Sequence, residues 1–131
     1  MSLRWYSVVV DCRDLRAQAT WWADVLDWAV IYEAEDEMVI VPKDAQERFA
    51  RIPREERCPG LVFVPVEEGK TLKNRLHIDL APSPGSDQES EVRRLVDLGA
   101  SRVDVGQDPT RVTWVLADPE GNEFCVLSPR E

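Results

Sequence analysis

The sequence predicts an α+β domain made of two consecutive βαβββ modules, and three observations carry that prediction. A strand–helix–three-strand order occurs twice along the 131 residues, which is the mark of an internal repeat. Each half has one stretch with apolar residues at helical spacing, flanked by capping or stop signals. The other apolar stretches are short, rich in β-branched residues and separated by turn formers.

The first strand is "WYSVVVDC", residues 5–12. Asp14 then caps a helix over "LRAQATWWADVLDW", with Leu15, Ala19, Trp22 and Leu26 as its apolar stripe. Two short strands follow, near 29–33 and 37–42, around the acidic turn "AEDE". "GLVFVPV" (60–66) closes the first module after a charged excursion, "PKDAQERFARIPREERCP" (42–59). Pro53 prevents that excursion from forming one long helix. It reads as a surface insertion with one helical turn. In the second module "RLHIDLA" (75–81) is the first strand and "PSPGS" is loop. Ser86 and Glu89 make a capping box for a helix through Leu98, which buries Val92, Leu95 and Val96 and stops at Gly99. Strands near 101–105, 111–117 and 122–128 complete it, the last two joined by the turn "DPEGN".

Composition narrows the function. A net charge of −9 disfavours nucleic acid and anionic membranes, both of which need a basic footprint. Cys12, Cys58 and Cys125 are odd in number and lack zinc-knuckle spacing. With no signal peptide and no membrane-spanning run, the expected setting is the cytoplasm with reduced thiols. The partners left are small molecules and other protein chains. Trp21, Trp22 and Trp28 cluster around the first helix and are read as core or dimer contact.

The two halves, with "DL…WWADVLDW" in the first and "HIDL…LGA…DPEGNEF" in the second, resemble the vicinal oxygen chelate superfamily. "KNRLHIDL" and "ADPEGNEFCVL" are similar to its glyoxalase-like branch, which also takes in bleomycin resistance and dioxygenase-like proteins. The resemblance covers nearly the whole chain. It implies a single domain over 1–131, with modules at 5–66 and 75–128. The implied architecture is an open, cupped eight-stranded mixed sheet, with helices on the convex side and a ligand cavity on the concave side. A homodimer is implied as well. Members run from glyoxalases and dioxygenases to epimerases and antibiotic-modifying proteins, so fold alone selects no chemistry.

The resemblance also implies four positions for metal ligands. Counting back seven residues from Asp14 gives Ser7, and the matching place in the second half is His77, the only histidine. The other two positions fall near Val64 and on Cys125, with Glu123 on the same strand face as Cys125. Valine donates nothing, so glyoxalase activity is not expected and no cofactor is predicted. The alternative is a divalent metal at His77 with Glu123 or Cys125.

Strand alternation places His77, Asp79 and Ala81 on the cup face, with Ser7, Val9 and Asp11 and with Glu123 and Cys125. Leu76, Ile78 and Leu80 would cover the helices. His77 and Glu123 are the candidate catalytic pair, with Asp79 as the other carboxylate that could pair with the histidine. Ser7, Asp11, Phe63, Val64, Asp79, Trp114 and Cys125 are candidate ligand-binding residues. Trp5, Phe63 and Trp114 would be flat walls, and Arg75 an anchor for an anionic group. The leading reading is a small-molecule-binding protein with metal-independent lyase or isomerase chemistry at the His–carboxylate pair. The alternatives are a metal-dependent lyase, isomerase or dioxygenase, and a non-catalytic interaction module. A polar network that only stabilises the fold stands beside the catalytic reading of His77.

Overall fold

Three consecutive valines make β1, Ser7–Cys12, because branched side chains suit a pleated surface better than a helix. The computed structural model describes residues 2–103 and 114–130, and the chain divides into units Met1–Gly69 and Lys70–Glu131.

In the first unit Asp14 ends the turn after β1, and its Oδ1 accepts from Ala17 N–H at 3.2 Å. That cap starts α1, Leu15–Leu26. The helix stops where Asp27 adopts a left-handed conformation, φ 55°, and Trp28 already begins β2, Trp28–Glu33. β3, Met38–Pro42, returns antiparallel to β2. The excursion then forms a short helix, α2, Ala45–Phe49, and one 3-10 turn at Arg54–Glu56. β4, Gly60–Pro65, inserts between β3 and β1, so the sheet order is β1-β4-β3-β2 with β1 and β4 parallel.

The α1 stripe is wider than its spacing predicted. Gln18, Ala19, Trp21, Trp22, Ala23 and Val25 are buried, while Leu15 and Leu26 are only half-buried. Trp21 and Trp22 meet edge to face at 5.2 Å, a favoured arrangement of the two ring quadrupoles. They are core. Together with Met38, Ile40, Leu61 and Phe63 they form the apolar interior of this unit.

The second unit repeats the topology. β5 is Asp79–Leu80, α3 is Gln88–Asp97 and β6 is Ser101–Arg102. β7, Trp114–Ala117, and β8, Glu123–Val126, complete a sheet ordered β5-β8-β7-β6, with β5 parallel to β8. Val92, Leu95, Leu116, Phe124 and Val126 are its buried apolar set. The "DPEGN" turn is built on buried Asp118, whose Oδ1 accepts from Glu120 and Asn122 N–H and whose Oδ2 accepts from the Asn122 amide. Gly121 supplies the positive φ of 88° that the turn needs.

Two expectations about elements change, and a third is only partly covered by the described residues. The strand predicted over 75–81 shrinks to two residues, because the chain bends at Arg75 and Leu76. Leu76 consequently is 89% exposed instead of covering a helix. The α3 cap is Asp87, which accepts from both Ser90 N–H and Ser90 Oγ. These bonds hold its carboxyl below the usual aspartate value. Ser86 instead donates to Glu91. Of the strand predicted near 101–105, Ser101–Arg102 is observed; the remainder of it past Val103, and residues 111–113 of the next strand, lie outside the described residues. No described helix is long and apolar enough to cross a membrane.

Phe63 was expected to line a cavity. It is fully buried, with 0% of its surface exposed, because Leu61 and Phe63 point to the α1 side of β4 while Val62 and Val64 alternate to the other. We predict that Phe63→Ala lowers unfolding free energy by about 3–5 kcal/mol. Val64→Ala, on the more open face, should cost about 1 kcal/mol or less. Urea denaturation of both variants measures this, and equal losses would contradict the assigned faces.

Candidate functional site

The β5–β8 pairing decides what His77 meets. It sets Asp79 opposite Cys125 and Leu80 opposite Val126, and Cys125 N–H donates to Ile78 O at 2.9 Å. Facing residues of a parallel pair point the same way, so Asp79 and Cys125 share a face. The bend before β5 brings His77 back onto that face. Its Nε2 stands 3.2 Å from Asp79 Oδ1, with the two side chains 47% and 50% exposed. One donor atom each from His77, Asp79 and Cys125 lie within 4.8 Å of one another. Partial burial pushes the Cys125 thiol above its ordinary value, and the charge and hydrogen bond of Asp79 push the same way against a weaker pull from Lys73. The thiol is therefore protonated at neutral pH.

Glu123 is engaged elsewhere, which corrects the expected His77–Glu123 pair. Its carboxylate takes Lys70 Nζ at 3.1 and 3.0 Å and Asn74 N–H at 3.1 Å. Asn74 Nδ2 donates in turn to Glu123 O at 3.3 Å. The Lys70 and Glu123 side chains are only 20% and 12% exposed. Burial opposes the charge on Glu123, but the Lys70 and backbone hydrogen bonds and the Lys70 charge outweigh it and hold the carboxyl below its ordinary 4.5. The histidine's carboxylate is Asp79. Lys70 and Asn74 were missed because nothing in "GKTLKN" distinguishes a clamp from a solvated loop.

Trp114 is also displaced from the predicted set. It pairs with Val126, whereas Val115 pairs with Cys125, so Trp114 lies on the face opposite Cys125. The Arg102 guanidinium stacks over its ring at 4.7 Å. Trp5 is largely exposed and donates its indole N–H to Ser7 O.

In the first unit, Ser7, Val9 and Asp11 pair with Gly60, Val62 and Val64 and share the open face of the sheet. The registers also align the modules. Asp11 pairs with Val64 as Asp79 pairs with Cys125, and Val66 N–H donates to Cys12 O as Leu127 N–H does to Leu80 O. Counted from these anchors, Val9 and not Ser7 is the counterpart of His77. The His–Asp–Cys set of one module is therefore Val9–Asp11–Val64 in the other. A broad open recess of about 680 Å³ in this unit, between the start of α1 and the β2–β3 turn, is lined by Arg13, Asp14, Arg16, Glu33, Glu35 and Met38 among others. An Arg16–Glu33 ion pair lies within it, and it contains no candidate catalytic residue.

Two βαβββ modules of identical strand order, one bearing a His–Asp–Cys cluster on an open sheet face, define a glyoxalase-fold domain. Residues 7–127 match the family model described as glyoxalase-like domain, and the chain belongs to that family. Solved structures agree on the fold. The fosfomycin resistance protein FosX from Mesorhizobium loti is 14% identical, with a TM-score of 0.67 over 99% of this chain and 95% of that one. FosX from Listeria monocytogenes, in a complex with Mn(II) and 1S,2S-dihydroxypropylphosphonic acid, is 10% identical with a TM-score of 0.67, over 99% and 93%. The oxidase ChaP-H2 is 15% identical with a TM-score of 0.59, over 99% and 96%. No curated protein sequence matches the chain.

The Glu123 clamp has a pH signature. A depressed carboxyl lends stability that is fully present above the ordinary value of 4.5 and is lost as pH falls through the lower folded value. We expect wild-type stability to drop more steeply than that of Glu123→Gln below that pH, because glutamine has no proton to take up. Acid-unfolding curves of the two proteins test this; parallel curves would show that no proton is linked to the clamp.

Proposed function

We propose that this chain is a small-molecule-binding protein, and that His77, Asp79 and Cys125 form the polar end of its site. The observation that supports this most is the convergence of their donor atoms within 4.8 Å on a face left half open. Groups exposed to this degree contribute little to stability, so support of the fold does not account for the cluster. An imidazole beside a carboxylate can take a proton from one ligand atom and return it to another. Metal-independent isomerisation or elimination of water is the reaction class this suits. Asp79 holds the imidazole in orientation, and the protonated Cys125 thiol offers a weak donor to a ligand oxygen. Glyoxalase activity is not part of the proposal, since Val64 has no donor atom.

The same three donors favour one second reading, a divalent ion. FosX from Listeria binds Mn(II), an ion matched by oxygen and nitrogen donors, and a thiol fits it poorly. Cys125, His77 and Asp79 fit a zinc-type ion with its fourth position open. Such an ion would polarise a ligand oxygen. We also propose that the chain works as a homodimer.

A thermal-shift screen of small hydroxy- and oxo-acids, run on wild type and His77→Ala, tests the main reading. A ligand at a hundredfold its Kd should raise stability by about 2.7 kcal/mol. His77→Ala should fold normally and lose that response. Equal responses in both proteins would sink the site assignment. Elemental analysis separates the second reading: near-stoichiometric zinc that EDTA removes, together with binding, would favour it. Sedimentation velocity at micromolar concentration should show a dimer, and a monomer there would overturn that part of the proposal.

A further inference from the structure

Between Gly69 and β5 the chain has no helix or strand, yet it carries the histidine. Apolar burial does not fix it, because Leu72 and Leu76 are 80% and 89% exposed. Its anchors to β8 are polar. Downstream, Ile78 O accepts from Cys125 N–H. Upstream, Glu123 takes Lys70 Nζ and Asn74 N–H on its carboxylate and Asn74 Nδ2 on its carbonyl. His77 lies between these two anchors, three residues after Asn74 and one before Ile78.

We propose that Glu123 is a positioning residue: with Lys70 and Asn74 it latches the 70–78 segment to the start of β8 and so fixes where His77 stands. The latch is chemically suited to that task. A charge-assisted bond between two largely shielded side chains is stronger than a neutral one. The bidentate reach of one carboxylate across Lys70 and Asn74 fixes two points four residues apart. Without it, five or more residues regain backbone freedom. His77 then meets Asp79 only part of the time, and affinity at the site falls in proportion to that fraction. The effect on binding rests on the role proposed for His77; the latch itself does not.

Hydrogen–deuterium exchange on the ligand-free chain tests the latch directly. Glu123→Ala and Lys70→Met should speed exchange of the 70–78 peptide about tenfold or more. Peptides from α3 and β7 should not change. The single histidine gives one set of imidazole NMR signals, and in both variants these should move toward those of an unstructured histidine. Lys70→Arg should restore protection. His77→Ala should leave Asn74 N–H protected, since the latch does not need the ring. Unchanged exchange and unchanged imidazole signals in Glu123→Ala would overturn the proposal. So would a uniform rise across the whole second unit, which would make Glu123 a support of β8 itself. Should Glu123→Ala fail to fold, Lys70→Met decides by the same two readouts. A latch that passes while His77→Ala still responds to the same compounds would support the positioning of His77 and remove its binding role.

Discussion

Parallel pairing between the first and last strand of each module is the constraint on which the rest depends. In such a pair the facing residues point the same way, so one register sorts a whole module into an inner and an outer face. The register Asp79–Cys125 and Leu80–Val126 sends Phe124 and Val126 into the core and leaves Glu123 and Cys125 outside. A slip of one residue would bury the thiol and the carboxylate and expose the phenyl ring. The large cost of burying Glu123 without a partner and of exposing Phe124 both oppose it. The juxtaposition of Asp79 and Cys125 thus follows from the packing on the opposite face.

Two carboxylates on that face divide the work through their surroundings. Asp79 is half exposed and stands against an imidazole. Glu123 is shielded, faces a lysine and accepts a backbone N–H. Interactions that hold a carboxylate charged make it a poor acceptor for a proton, so Glu123 is suited to holding structure and unsuited to act as a base. Asp79 meets the His77 imidazole and the Cys125 thiol instead of a lysine and a backbone N–H.

Much of this architecture was legible. The βαβββ order, the Asp14 cap, the "DPEGN" turn and the Gly99 stop all followed from local chemistry, which acts over a few residues. The candidate site was less so, and each miss has a cause. Phe63 and Val64 are neighbours on one strand and cannot share a face, so naming both as wall residues ignored alternation. Trp114 failed for a related reason: its parity relative to Cys125 depends on the β7–β8 register, which the sequence does not state. Glu123 was seen as a base because the bend at Arg75 and Leu76, which carries Lys70 and Asn74 back to it, has no sequence signature. Ser7 was reached as the counterpart of His77 by counting back from the Asp14 cap, a distance that the loop before a helix sets and the strand register does not. The hydrogen-bond ladder shows Val9 in that place.

That alignment bears on the chemistry. On one frame, the two modules carry Val9, Asp11 and Val64 in one case and His77, Asp79 and Cys125 in the other. The backbone that puts an aspartate at the end of the first strand is common to both; the groups beside it are not. Asp11 has only valines as its counterparts to His77 and Cys125, so an imidazole and a thiol stand beside the aspartate in the second module alone. Within that module the resting state of Cys125 separates two uses. Burial and Asp79 keep the thiol protonated, which favours a hydrogen-bond donor beside the His–Asp pair. A zinc-type ion would take the sulfur only as thiolate, with that proton released on binding. Asp79 thus bears on both readings proposed for the site: it stands 3.2 Å from the His77 imidazole as a partner for a proton, and its charge would equally attract a cation.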